Sequence, residues 1–195
     1  MKLVWPALAY LPGYVDALHR GWSPDNLRGA EAAREQLDDI AADAEAFVAS
    51  LIDKEARGSL ITLPDGTKVP RLPGYVRWMW DGEFCGSIGL RWQRGTEELP
   101  PYCFGHIGYT VVPWKRGRGY ATSAVRETVR AAAAEGLRYV ELVTETTNLP
   151  SQRVIEANGG LLIEEFTRPE AFGPVQEFGV APIRPDTLRV VDSCG

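Results

Sequence analysis

Apolar residues recur at spacings of three and four between positions 28 and 57. This period places them on one face of a helix and the intervening charges on the solvent side. The pattern therefore predicts one long amphipathic helix over 28–57, which covers a sheet and ends at Gly58. Its apolar face comprises Leu37, Ile40, Ala41, Ala44, Phe47, Val48, Leu51 and Ile52.

Strand-like segments follow, with turn signals between them. YVRWMW (75–80) and EFCGSIGLRW (83–92) are joined by Asp81-Gly82, a dipeptide that favours a hairpin, and Asp65-Gly66 is a similar turn. GHIGYTVVP (105–113) predicts a further strand that Pro113 closes. These segments predict an antiparallel meander.

The second half of the chain alternates strands and helices. Helices are predicted over 121–135 and 148–160, the second with Asn148 as its N-cap and Gly159 as its C-terminal stop. The predicted strands cover 138–145, 161–166 and 175–181. A strand, a crossover helix and a second strand form a parallel pair with a right-handed connection. The predicted fold class is therefore α+β, an α/β sandwich with a mixed sheet and helices on its faces.

The charge balance narrows the classes of ligand. The chain has 195 residues and a net charge of −5, which argues against nucleic acid or a membrane surface as a partner. Its three cysteines, Cys85, Cys103 and Cys194, have no paired spacing, so neither a disulfide framework nor a metal site is expected. The N-terminal apolar run is interrupted by prolines, unlike a signal peptide, and no segment reaches the ~20 apolar residues of a membrane span. We therefore expect a cytoplasmic protein.

Against this acidic background, the segment WKRGRGY (114–120) is locally basic and lies where a helix begins. The first turn of a helix has amide groups without intrahelical partners and the positive end of the helix dipole. Glycines leave such amides accessible, and arginines add charge-assisted hydrogen bonds to a phosphate. The segment therefore predicts a cradle for a small anionic ligand such as a pyrophosphate.

Several kinds of loop compete for this segment. A Walker loop requires Gly-Lys-Ser/Thr, but Gly119 is followed by Tyr120-Ala121. A dinucleotide loop requires a third glycine where Thr122 stands, with Glu141 as a distant ribose partner. A coenzyme A loop has the pattern Arg/Gln-x-x-Gly-x-Gly/Ala. An ordinary turn with solvated arginines is the remaining alternative.

VVPWKRGRGYATSAV, followed by NLPSQRVIEANGG, resembles the acetyl-CoA-binding half of the GNAT superfamily of N-acyltransferases, and GHIGYTVVP is similar to a branch of uncharacterised members. Lys115 or Arg116 takes the Arg/Gln position. The resemblance covers about 70–166 and implies a mostly antiparallel sheet with a splayed parallel strand pair and helices on both faces. It divides the chain into a helical region (1–65) that belongs to or packs on the same domain, a core (66–181) and a tail (182–195).

The resemblance also implies roles for individual residues. Pantetheine would pair with the backbone of the strand before the loop, the pyrophosphate would contact the loop amides, and the second helix would approach the pantetheine and the sulfur. Asn148 is equally well explained as a helix cap. The residues implied for acetyl-CoA binding are Tyr109, Thr110, Val111, Val112, Arg116, Gly117, Arg118, Gly119, Tyr120, Ala121, Asn148 and Ser151.

The implied reaction is transfer of an acetyl group to a primary amine, on a small molecule or a peptide, by direct attack in a ternary complex. His106, Glu145 and Glu83 are the candidate bases, although each is also explained as a structural or solvent-facing residue. Ile155 stands where many members carry a tyrosine that protonates the leaving thiolate. Its substitutes are Ser151, Tyr109, Tyr120, a water molecule or unassisted departure.

The missing tyrosine motivates one alternative, a non-catalytic acyl-CoA-binding or sensing domain; a dinucleotide oxidoreductase is the other. A homodimer is expected as the assembly, with Trp78, Trp80, Trp92 and Trp114 assigned either to an acceptor pocket or to core and dimer contacts.

Overall fold

The computed structural model describes residues 1–26, 28–63 and 65–167, together with the backbone of a strand over 177–183. Most of the predicted tail, with Cys194, lies outside these residues. The helices are α1 (Leu11–His19), α2 (Ala30–Ala42), α3 (Ala44–Ser50), α4 (Tyr120–Ala134) and α5 (Leu149–Glu156). The strands are β1 (Lys2–Val4), β2 (Ile52–Asp53), β3 (Ile61–Thr62), β4 (Lys68–Val69), β5 (Gly74–Trp80), β6 (Phe84–Arg91), β7 (Ile107–Val111), β8 (Val140–Glu145), β9 (Glu164–Thr167) and β10 (Glu177–Ile183).

The strands form two larger sheets and one small hairpin. The first sheet has the order β1-β5-β6-β7, with β2 paired to β5, and the second has the order β8-β10-β9. All these pairs are antiparallel. The predicted turns at Asp65-Gly66 and Asp81-Gly82 are confirmed, and both glycines have positive φ angles. The predicted meander is therefore present.

The two larger sheets meet where β7 and β8 begin. The His106 amide donates to the Glu141 carbonyl oxygen at 2.7 Å, but no ladder joins β7 to β8 in the described residues. Gly105 has φ +77, and a Cβ there would lie 3.1 Å from the Glu141 oxygen, so the close approach requires glycine. The strands touch at their first residues and separate beyond them, which confirms the splayed pair that the resemblance implied.

The prediction of one long helix over 28–57 was wrong. The helix breaks at Asp43, whose backbone is extended and whose Oδ1 accepts a hydrogen bond from the Ala46 amide at 2.9 Å. A capping aspartate starts a new helix because its side chain replaces the missing backbone acceptor. The second helix ends at Ser50 rather than before Gly58, and Ile52 lies in β2 opposite Tyr75. The apolar period continued across the break because both helices face the same side of the sheet.

Buried side chains form a cluster on each face of the first sheet. One cluster lies under α4 and α5 and includes Met79, Ile88, Val125 and Ile155. The other lies under α1 to α3 and includes Tyr14, Trp22, Phe47, Trp78 and Phe84. Each fully buried large apolar side chain contributes about 1.5–3 kcal/mol of transfer free energy, so both helical layers stabilise the sheet.

Candidate active site

The basic loop connects β7 to α4 through a 3₁₀ turn at Pro113–Lys115. Gly117 and Gly119 have φ angles of +75 and +73, and nothing lies within 4 Å of a Cβ built at either position. Gly119 is the N-cap of α4 and offers no side-chain cap. The first intrahelical bond is made by the Ser123 amide to the Gly119 oxygen, 3.0 Å, so the amides of 120–122 precede it. The loop therefore has the open space and the unused donors that an anion needs.

The three cations of the loop differ in their surroundings. Lys115 is only 6% exposed, and its Nζ donates to Asp81 at 2.6 Å and to Glu83 at 3.0 Å. The Tyr120 hydroxyl donates to the same Asp81 carboxylate at 2.6 Å. The charge of Lys115 is thus neutralised within the protein, whereas Arg116 and Arg118 are exposed to solvent.

Asp81 is a site residue that the sequence analysis missed. Donation from Lys115 and then from Tyr120 holds the pKa of its carboxyl well below the usual range. Burial alone lowers the pKa of Lys115, but its bonds to Asp81 and Glu83 raise it overall. The network fastens the β5–β6 turn to the start of α4. Its only signal in the sequence was the Asp-Gly dipeptide, which also explains the turn.

The edge of β7 that faces β8 carries backbone groups without a strand partner. The His106 carbonyl and the Val112 amide both bond to β6, at 2.9 Å each. Because backbone direction alternates along a strand, the amides of Tyr109 and Val111 point to the other side, toward the gap. The Val111 carbonyl accepts from Arg116 Nε at 3.2 Å on that side. The gap between the splayed strands is therefore lined by N–H groups of β7 that have no strand partner in the described part of the chain.

His106 is fully buried and links β7 to β8. Its Nδ1 accepts from the Glu141 amide at 3.0 Å, so the proton of the neutral ring resides on Nε2. Burial lowers the pKa of the ring to about 4. A neutral ring whose only lone pair is engaged is a poor base, so this arrangement does not favour the catalytic role predicted for His106.

The other candidate bases, Glu83 and Glu145, lie on different elements of the fold. Glu83 has a side chain that is 79% exposed and is paired with Lys115 in the β5–β6 turn. Glu145 is the last residue of β8, beyond the point where β7 and β8 separate, and is partly buried. Its backbone carbonyl accepts from the Asn148 amide at 2.9 Å, so β8 leads directly into α5.

Helix α5 places its first turn beside β7. Asn148 is the N-cap, as predicted, and its Oδ1 accepts from the Ser151 amide at 3.2 Å. The Ser151 side chain lies near the Tyr109 hydroxyl and affects its pKa. Ile155 is 4% exposed and belongs to the cluster under α4 and α5.

The four tryptophans assigned to a pocket or a core divide into two pairs. Trp78 and Trp92 are buried in the core. Trp80 and Trp114 line a cavity of about 320 Å³ beside α1. The Arg20 guanidinium lies 3.6 Å from the ring centroid of Trp114 in this cavity. Cys85 is buried as well, and burial raises the pKa of its thiol to about 11, consistent with a core residue.

No group of histidine, cysteine and acidic side chains in the described ranges is placed to hold a metal ion. None of the helices in the same ranges has the length and apolar character needed to cross a bilayer.

One protein-family pattern matches most of the chain. Residues 27–160 match the pattern described as the acetyltransferase (GNAT) domain, which is more than half of the chain. The chain belongs to the GNAT family. The match includes the loop, α4, β8 and α5. No curated protein matches the chain significantly.

Solved acetyltransferase structures share the fold of the chain at low sequence identity. The microcin C7 self-immunity acetyltransferase MccE, solved with acetyl-CoA and AMP, has 13% identity and a TM-score of 0.61, over 93% of this chain and 91% of that one. YncA from Salmonella typhimurium, a putative acetyltransferase solved with acetyl-CoA, has 13% identity and a TM-score of 0.53, over 99% and 98%. The ribosomal-protein-S5-alanine acetyltransferase from Vibrio fischeri has 15% identity and a TM-score of 0.56, over 96% and 93%.

The buried state of His106 predicts a pH dependence of stability. Because its pKa is about 4 when folded and ~6.5 when unfolded, the unfolded chain binds the extra proton between these values. The contribution of the neutral, buried His106 ring to the unfolding free energy is therefore complete above pH 6.5. It is lost as the pH falls toward 4. Between pH 7 and pH 5 we expect a loss of about 2 kcal/mol in unfolding free energy, measured by urea denaturation. His106→Asn keeps an acceptor for the Glu141 amide and should remove this part of the loss; an equal pH dependence in both proteins would contradict the prediction.

Proposed function

We propose that this GNAT protein transfers the acetyl group of acetyl-CoA to a primary amine by direct attack in a ternary complex. The proposal rests on one observation: two features that suit acetyl-CoA follow each other directly along the chain. The open glycine loop, with Arg116 and Arg118 exposed, directly follows the strand edge whose Tyr109 and Val111 amides face the gap. One extended ligand with a pyrophosphate at one end and a thioester at the other fits both features.

The loop is suited to the pyrophosphate. A Cβ at Gly117 or Gly119 would take up space that is open in the loop from which α4 begins. The amides of 120–122 and the two exposed arginines supply neutral and charged donors. Lys115 is assigned to fastening the loop, because its charge is already paired with Asp81 and Glu83.

The reaction consists of attack by the amine, cleavage of the carbon–sulfur bond and two proton transfers. The neutral amine nitrogen attacks the thioester carbonyl carbon, and an amide of β7 stabilises the oxyanion that forms. The carbon–sulfur bond then breaks, the sulfur receives a proton, and the amine nitrogen loses one. Since an alkylamine has a pKa of ~10.4, a base assists the attack, and we retain Glu145, directly or through water, as the candidate.

The acceptor is proposed only as a primary amine on a small molecule or a peptide. The solved relatives differ in this respect: the name of one specifies a ribosomal-protein alanine and that of another specifies spermidine.

The second candidate function is acyl-CoA binding without turnover. Ile155, at the position where many members of the family carry a phenol, favours it, and acetyl-CoA binding without thiol release on any amine would support it.

Calorimetric titration with acetyl-CoA, CoA and NADPH tests the proposal. We expect micromolar binding of acetyl-CoA and about 30-fold weaker binding by Arg116→Ala/Arg118→Ala, which removes charge-assisted bonds worth about 2 kcal/mol in total. Arg126→Ala/Arg130→Ala is the matched control, because it removes the same charge from later turns of α4. Binding would be followed by an amine screen that detects free thiol. The proposal would be overturned if none of the CoA species binds, or if NADPH binds instead.

A further inference from the structure

Helix α5 does not supply a proton donor at Ile155. This side chain is 4% exposed, packs in the cluster with Val125 and Leu142 and carries no acidic proton. The thiolate that leaves coenzyme A must therefore find its proton elsewhere. The hydroxyl groups of Tyr120, Ser151 and Tyr109 were the alternatives in this part of the chain.

Two of these hydroxyl groups are poorly suited to be the donor. The Tyr120 hydroxyl already donates to Asp81 at 2.6 Å, on the side of the loop that faces the β5–β6 turn. An aliphatic hydroxyl such as that of Ser151 is a weak acid, and its usual part in proton transfer is to relay a proton between other groups.

The Tyr109 hydroxyl is in a different situation. Its ring packs against the cluster under α4 and α5, and its oxygen is buried without a hydrogen bond in the described residues. Buried hydroxyl groups nearly always have a partner, so one without a partner marks a place where a ligand group is missing. The Ser151 side chain, in the first turn of α5, is the polar group beside this oxygen, and its interaction with the hydroxyl lowers the pKa of Tyr109.

We propose that Tyr109, with Ser151 behind it, is the general acid that protonates the departing thiolate. This inference rests on the proposed function. Tyr109 combines two properties at one residue: its amide points into the gap between the splayed strands, and its side chain reaches the first turn of α5 on the face that holds Ser151. A thioester polarised at the β7 edge would thus place its sulfur within reach of this hydroxyl.

The step balances without any further reagent. When the tetrahedral carbon expels sulfur, the electron pair of the carbon–sulfur bond moves to sulfur, and the Tyr109 proton is transferred to it. The phenolate recovers a proton through the Ser151 hydroxyl from the solvent, which receives the proton lost by the amine. Burial raises the pKa of Tyr109, an effect that Ser151 partly offsets, so the phenol remains protonated and able to donate at neutral pH.

The test uses the full chain, acetyl-CoA and the best amine from the screen. Tyr109→Phe is expected to lower kcat about 100-fold, within the range of general acid catalysis, with the Kd of acetyl-CoA changed less than threefold. Ser151→Ala should lower kcat less, by about tenfold, and the double variant should be no slower than Tyr109→Phe alone, because the two residues act as a unit. Tyr75→Phe is the matched control, a buried tyrosine of the same cluster two strands away, and should retain wild-type kcat.

Two results would overturn the inference. One is a Tyr109→Phe variant that keeps more than half of the wild-type kcat; the other is multiplicative losses in the double variant, which would indicate two independent structural effects. If the wild-type protein binds acetyl-CoA but acetylates no amine, the transferase function fails first, and the assignment of Tyr109 fails with it.

Discussion

Gly119→Ala is expected to weaken acetyl-CoA binding at least tenfold while the protein remains folded. Gly119 has φ +73, where alanine costs about 1 kcal/mol, and nothing lies within 4 Å of the new Cβ. The methyl group therefore fits the free protein, and we expect it to hinder a phosphate that approaches the amides of 120–122. Calorimetry gives the affinity, and urea denaturation gives the stability.

The other end of α4 offers a matched control. Gly136 has φ +91 and equally open surroundings, but it follows the C-terminus of the helix, far from its unpaired amides. Gly136→Ala should cost a similar ~1 kcal/mol of stability and leave acetyl-CoA affinity unchanged. If the two variants bind acetyl-CoA equally well, the loop is an ordinary turn and the cradle is wrong.

Gly86→Ala is expected to lower the unfolding free energy by about 3 kcal/mol or more, with loss of any transferase activity. Gly86 has φ +146, and a Cβ there would lie 2.2 Å from the Thr110 oxygen and 2.9 Å from the Val111 Cα. These are backbone atoms of β7, so the clash cannot be relieved by a side-chain rotation. Since β7 bears the free amides of the site, the strand would have to move out of place or separate from β6.

Gly89, three residues later in β6, provides the comparison. Its Cβ would meet its nearest neighbour, the Tyr75 oxygen, at 3.5 Å, an ordinary contact distance. Gly89→Ala should stay within about 1 kcal/mol of the wild type in urea denaturation. Similar unfolding free energies for the two variants would refute the explanation of Gly86. Failure of Gly86→Ala alone to accumulate as folded protein would support it.

The bulge that requires Gly86 was not visible in the sequence. Trp80 pairs with Phe84, but Met79 pairs with Gly86, so Cys85 is the extra residue of β6. The sequence analysis predicted a continuous strand there, because alternation of apolar residues is similar on either side of one inserted residue. Only the pairing with β5 reveals the insertion.

Local chemistry explains the predictions that were confirmed. Asp-Gly turns, the Asn148 cap and the start of a helix after the glycine loop depend on residues within a few positions of each other, so their sequence signals are sufficient. The long helix failed because a capping aspartate within a continuous apolar period is a weak signal. The strand β1 was not predicted, because its three residues form a strand only through pairing with Trp78–Trp80.

The sequence by itself determined the order of the main strands and helices from β5 to α5, the family resemblance and the place of the glycine loop at the start of α4, because these depend on short patterns of glycine, charge and periodicity. The tertiary structure decided which charges are free. Lys115 and Arg116 are neighbours with the same sign, yet Asp81, 34 positions from Lys115 in the chain, neutralises only the lysine. It also decided that His106 is a buried link and that the Tyr109 hydroxyl is buried without a hydrogen bond among the described residues. Burial and pairing across the sheet depend on residues that are distant in sequence, and such contacts set the pKa and the availability of a group.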